Sequence, residues 1–255
     1  MTNILAIAHK ELRAYFASPI AYVVIGFFAL VFGFMFASVL NWFLTQSMQM
    51  GMGMGPQTLN VNQQMIRPLL LNMTVVFLLL LPLITMRTYS EEKRSGTIEL
   101  LLTSPITDVQ IILGKFLGAL ALYAVMLGVT LIHFGVLFMY GNPELKPLLT
   151  AYLGMLLFGA CFISIGLFIS SLTKNQIIAG AVTFAVFLLL WVVDWIGPAL
   201  GPSAEEVFKY LSMTSHLDDF IKGVIDTKHV VYYLSIIIFG LFLTARSVDT
   251  ERWRG

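Results

Sequence analysis

Charge is scarce in this sequence. Only 11% of its 255 residues are Asp, Glu, Lys or Arg and 58% are hydrophobic, whereas soluble domains are about a quarter charged. That shortage excludes an ordinary soluble domain and implies an integral membrane protein. Cysteine is nearly absent. Cys161 stands alone inside an apolar run, which excludes an intramolecular disulfide framework and leaves it as a small packing residue. A net charge of +1, with no basic stripe, gives no footprint for nucleic acid. There is no Walker A pattern, because Gly114-Lys115 lacks both a glycine five residues earlier and a following Ser or Thr. HExxH and GxSxG are missing too. His133, Cys161 and Asp194 fall in separate apolar runs, so the convergent ionisable groups of an intramembrane enzyme are lacking.

What the chain has in quantity is long uncharged stretches. Crossing a hydrocarbon core takes roughly 20 helical residues, and the apolar runs predict spans at about 20–44, 69–86, 116–140, 148–172, 177–196 and 230–245. The first is too long for a signal-peptide core and no small-residue cleavage site follows it, so it is expected to be retained. The expected fold is an all-α integral membrane protein, one domain over 1–255 with six transmembrane helices. Before them, residues 3–17 place Ile4, Leu5, Ala8, Leu12, Tyr15 and Phe16 on one face and His9, Lys10 and Arg13 on another, the pattern of an interfacial helix.

Helix boundaries have their own signals. Ser18-Pro19 and Arg67-Pro68 open the first two spans, and Pro82 is expected to kink the second. Thr107 to Gln110 reads as a capping box, and Gly141-Asn142-Pro143 closes the helix it starts. Gly154, Gly159, Ser164, Gly166, Ser170 and Ser171 line the fourth span with small residues that permit close helix approach. Trp191 and Trp195 mark an interface at the end of the fifth, which Gly197-Pro198 is expected to terminate. Two short extracytoplasmic helices, 203–212 and 215–225, are expected before the last span, capped by Ser203 and Ser215.

Several residues invite a functional reading. Met48, Met50, Met52 and Met54 alternate with Gly and Gln, but no His or Cys supports them, so a flexible linker is preferred to a Cu(I) site. Asp194 lies beside the belt tryptophans and is read as solvated or capping at the outer boundary. His216 and Asp219 share a helical face, which is too few ligands for a metal, so no metal site is assigned. His133 has no carboxylate at helical spacing and is read as a packing residue. Six spans put both termini on one side. Lys and Arg outside the spans are more numerous at the end holding the termini and residues 87–112 than in the short loops at the other, which predicts that this end is cytoplasmic.

The charged stretch 87–112 is the exception in an apolar chain. Thr88 to Glu91 has capping-box spacing, although the second span could continue to Ser95. Gly96 is expected to break that helix and Thr97 to restart one in which Ile98, Leu101 and Leu102 face the bundle and Glu99 faces the cytosol. The run from Glu91 to Pro105, EEKRSGTIELLLTSP, resembles the signature of permease subunits of ABC-2 type transporters, particularly the gliding-motility-associated (GldF-like) and NosY-type permeases. The similarity continues through SHLDDF at 215–220, VYYLS at 231–235 and the ending ERWR.

That resemblance implies a permease without an active site of its own. It would pair with a second copy or a homologous permease in a bacterial inner membrane and move an unidentified substrate, in the export direction. ATP and Mg would be held by a separate cytosolic ABC ATPase; lipid and an extracytoplasmic protein would be further partners. The stretch would be the coupling helix, with Glu91, Glu92, Arg94, Gly96, Thr97, Glu99 and Leu101 carrying the ATPase contact and the carboxylates facing the ATPase cleft. A non-transporting membrane anchor or mechanotransmitter driven by the same kind of ATPase is the alternative.

Overall fold

The computed structural model describes residues 2–51, 60–102 and 105–252, and every regular element among them is helical. Helix α1 (Thr2–Ala17) is followed by α2 (Pro19–Gly51). A π-helical turn, Asn62–Ile66, leads into α3 (Arg67–Thr85), and a turn over 86–89 separates that helix from α4 (Ser90–Ser95) and α5 (Thr97–Leu102). Then come α6 (Asp108–Tyr140), α7 (Leu145–Ser171), α8 (Gln176–Leu200), α9 (Pro202–Leu211), α10 (Met213–Ile221) and α11 (Thr227–Arg252). Among the described residues, six helices are long and apolar enough to cross a membrane. They alternate in direction, so α1, α4 and α5 lie at one end of the bundle and α9 and α10 at the other.

The interior is unevenly distributed. In α3 and α7, 67% and 72% of the most apolar stretch is buried, against 22% in α2, 17% in α8 and 22% in α11. The first two are the axis, and the others turn apolar faces outward, which is unfavourable in water and suits lipid or another protein. Between axis and periphery, Phe28 stacks on Phe77, and Phe77 meets the Tyr123 ring edge-on. Tyr123 occupies the space a side chain at Gly159 would take, and its hydroxyl donates to the Met155 carbonyl at 2.8 Å. Cys161 is fully buried with its thiol 3.2 Å from the Tyr233 carbonyl, and His133 packs edge-on against Phe32 and Phe36.

Local signals set several boundaries as expected. Both bonds of the Thr107/Gln110 capping box are present. Asn175, which the sequence reading did not single out, caps α8 by accepting from the Ile177 amide at 2.9 Å. Others differ. Helix α8 runs through Gly197-Pro198 to Leu200 and stops only at Gly201, whose φ of +102° glycine alone adopts easily. Helix α9 starts at Pro202, whose fixed φ suits a first helical residue, with Gly201 in the capping position, so Ser203 lies inside the helix and not before it. Ser212, not Ser215, caps α10, and that helix ends at Ile221 with Gly223 in the left-handed region just beyond. Thr88 sits in the turn before α4 and caps nothing; its hydroxyl instead reaches Tyr15. On α1 the buried positions are Ile7, Glu11 and Tyr15, while Leu5 is exposed. Met52 and Met54 lie outside the described residues, as do the side chains of Leu101, Leu102, Asp194 and Ser203.

Candidate functional site

Helix α1 reaches α6 because α6 lacks side chains where they touch. A Cβ on Gly114 would fall 2.6 Å from Ile7, and one on Gly118 would fall 2.7 Å from the Cβ of Glu11. Between these glycines stands Lys115, 1% exposed. Its ammonium is 2.7 Å from Glu92 of α4 and 3.1 Å from Glu11 of α1, and it donates to the Thr88 carbonyl at 3.0 Å. The Tyr89 ring lies 5.1 Å away, and Lys10 approaches both carboxylates at 3.6 Å. A buried ammonium is tolerated only when its donors are used and its charge balanced, and here three elements supply the partners.

Further bonds hold the same corner. The Ser170 hydroxyl of α7 accepts from the Tyr89 and Ser90 amides at 3.1 and 3.2 Å and donates to the Met86 carbonyl at 3.0 Å. Tyr15 donates to the Ile84 carbonyl at 3.0 Å, and burial pushes its phenol far up, which keeps it a donor. Arg87 pairs with Glu91 at 2.8 Å and reaches Ser18 at 3.4 Å. So α4 is fastened to α1, α3, α6 and α7.

Past α4 the character changes. Gly96, at φ +74°, turns the chain by a route other residues adopt at a cost, and α5 begins at once. Ile98 is buried, whereas Arg94, Gly96, Thr97 and Glu99 are exposed. Glu91 is half exposed and Glu92 is turned inward. The candidate residues thus divide into an anchored set, Glu91 and Glu92, and an open set beyond it. A cleft of about 560 Å³, lined by Glu11, Tyr15, Arg87, Glu91, Glu92 and Thr97 among others, runs along the joint.

Lys115 and Glu11 escaped the sequence reading. The only signal was a lone lysine at the head of a long apolar helix, next to a glycine with another glycine three residues on.

At the opposite end, His216 and Asp219 are brought together not by each other but through His229 of α11, which contacts both. Asp218 receives a two-pronged bond from Arg67 at 2.9 and 3.0 Å, and Lys222 reaches it at 2.6 Å. These groups line a cavity of about 790 Å³. Among the described residues, no group of three or more His, Cys, Asp or Glu could hold a metal.

Residues 5–246 match the family described as ABC-2 family transporter protein. Two curated relatives, both named probable multidrug ABC transporter permease YbhR, one from Escherichia coli K12 and one from Escherichia coli O157:H7, are each 31% identical over 145 residues. That alignment takes in 56% of this chain and 39% of either relative.

Proposed function

The chain belongs to the ABC-2 family of transporter proteins, and on that premise we propose that it is the permease subunit of an ATP-driven exporter, with α4 and α5 as the element a separate ATPase pushes. The observation that carries this reading is the division at Gly96: beyond it Thr97 and Glu99 are exposed, and before it α4 is fixed through Lys115 to α6 and α1. A load on α5 passes through α4 to α6 and α1 together, because one buried ammonium joins them. Arg94, Thr97 and Glu99 are the ATPase-facing group; Glu92 transmits and does not dock. ATP and Mg sit on the partner, and a second copy or a homologous permease completes the unit.

The excess of Lys and Arg at the α4–α5 end favours a cytoplasmic location for it and for both termini, in a bacterial inner membrane. The EEKRSGTIELLLTSP run is what supports a finer likeness to the GldF-like and NosY-type permeases. A second reading, a mechanical transmitter that carries no cargo, is favoured by the aromatic packing along α3, α6 and α7, which fills the interior of a single copy. In either reading Glu99→Lys, reconstituted with the ATPase, lowers ATPase stimulation at least several-fold while leaving thermal unfolding unchanged. Full stimulation in the folded variant would remove α5 from the coupling path. Substrate accumulation in inverted vesicles then separates exporter from transmitter.

A further inference from the structure

Hydrogen-bond direction at the end opposite α4 and α5 fixes where one proton must be. The Nε2 of His216 lies 2.8 Å from the Tyr210 carbonyl. A carbonyl only accepts, so this nitrogen carries the hydrogen, and in a neutral ring Nδ1 is then a bare acceptor. That Nδ1 meets Nδ1 of His229, which must therefore donate. The other nitrogen of His229, Nε2, is 2.8 Å from the Asp219 carboxylate and must donate as well. Every contact is made when the two rings carry three N–H hydrogens between them and Asp219 is ionised; with His216 neutral, the extra proton sits on His229. Both histidines are 4% exposed.

We propose that this single shared proton fastens the α9–α10 pair to the head of α11, as a pH-sensitive clasp. One proton fewer leaves His229 able to serve only one neighbour. One proton more sets an N–H of His216 against an N–H of His229. Tyr232 and Tyr233 of α11 also hold the pair, donating at 2.7 Å to the Leu211 and Met213 carbonyls, so the clasp opens locally and the helices stay attached.

The surrounding charges are otherwise engaged or distant from the rings. On α10, Asp218 is held by Arg67 of α3 and by Lys222, which also lies 3.6 Å from Asp219; before α11, Asp226 pairs with Lys228 at 3.3 Å. Glu205, Glu206 and Lys209 of α9 border the same cavity. The Tyr232 ring stacks on His216 with centroids 3.9 Å apart. Burial, foremost, holds the His216 imidazole below its usual range, in keeping with a neutral ring. That the medium at this end lies outside the cell rests on the orientation proposed above; the proton arrangement does not.

The test uses the full chain in lipid nanodiscs, metal-free buffer and hydrogen–deuterium exchange, corrected for intrinsic rates. Protection of the α10 amides should fall about tenfold between pH 7 and pH 5. His216→Gln supplies an acceptor and a donor but takes no proton, so its α10 protection should stay flat. An unchanged wild-type profile, or the same fall in the glutamine variant, would overturn the clasp. Independently of any variant, 15N-histidine spectra at pH 7 should show one ring protonated on both nitrogens and one with a bare Nδ1. Two singly protonated rings at this site, or shifts that appear only on adding Zn²⁺, would overturn it equally.

Discussion

Two polar joints tie short helices to the spans, one at each end of the bundle, and they differ in the kind of charge they use. At the α4 end a lysine and two glutamates meet inside the protein, with Lys115 1% exposed. At the α9–α10 end Arg67 and Asp218 meet at the rim of an open cavity, and the closest contact with α11 runs through two imidazoles. Imidazole is the side chain whose charge changes nearest neutral pH. The first joint is a buried ion cluster that fixes geometry; the second can answer to the medium. A part that transmits motion needs the former property, and a part that faces a changing compartment can use the latter.

The comparison breaks most readily at Lys115. Lys115→Ala leaves Glu11 and Glu92 buried without their common cation, a loss of about 3–5 kcal/mol, read as a large fall in the thermal midpoint of the solubilised chain. Lys115→Arg should recover part of it. Asp218→Asn at the opposite end should cost only about 1 kcal/mol, because that pair is partly solvated, and the loss should shrink in high salt. Equal losses at the two ends would erase the distinction.

The smallest effect is the pH response, and its sign is fixed. Since the folded state holds His216 below the usual histidine range, the unfolded chain binds the proton first as pH falls. The contribution of His216 to stability is complete above pH 6.5, its ordinary value, and declines as acid is added. Asp219 is also held low, burial pushing it up and the bonds and charges of His229 and Lys222 together more than offsetting that, so its contribution is lost further into acid. The gap between denaturant titrations of wild type and His216→Gln should therefore change as pH falls below 6.5, with exchange at α4 the same in both.

Much of this architecture was legible because membrane spans are written locally. Length and absence of charge placed the six long helices, and Gly96 and the Thr107 box marked breaks that depend on a few neighbouring residues. The helix ends at 200, 202 and 213 were misjudged where several capping residues competed, since a proline at a first helical position and a serine one turn earlier displaced the expected caps. The Lys115 joint could not be read that way. Its partners come from 104 and 23 residues earlier in the chain, and Glu11 is buried on a helix whose apolar pattern suggested a slightly different face. His229 and Arg67 were likewise unremarkable until folding brought them to α10. Charge at a helix end looks the same in sequence whether it greets water or another charge.

The 104-residue separation of Glu11 and Lys115 also sets an order of events during synthesis. Helix α1 is made before α6, and the glycine-flanked seat it occupies there does not exist until a hundred further residues have left the ribosome. At about 5–20 residues per second, that is a wait on the order of 5–20 s. Until then Glu11 can remain in water, where its charge is cheap to keep. Helix α1 is thus parked beside the membrane while α2 and α3 insert, and its arrival on α6 is among the last steps that close the α4–α5 end.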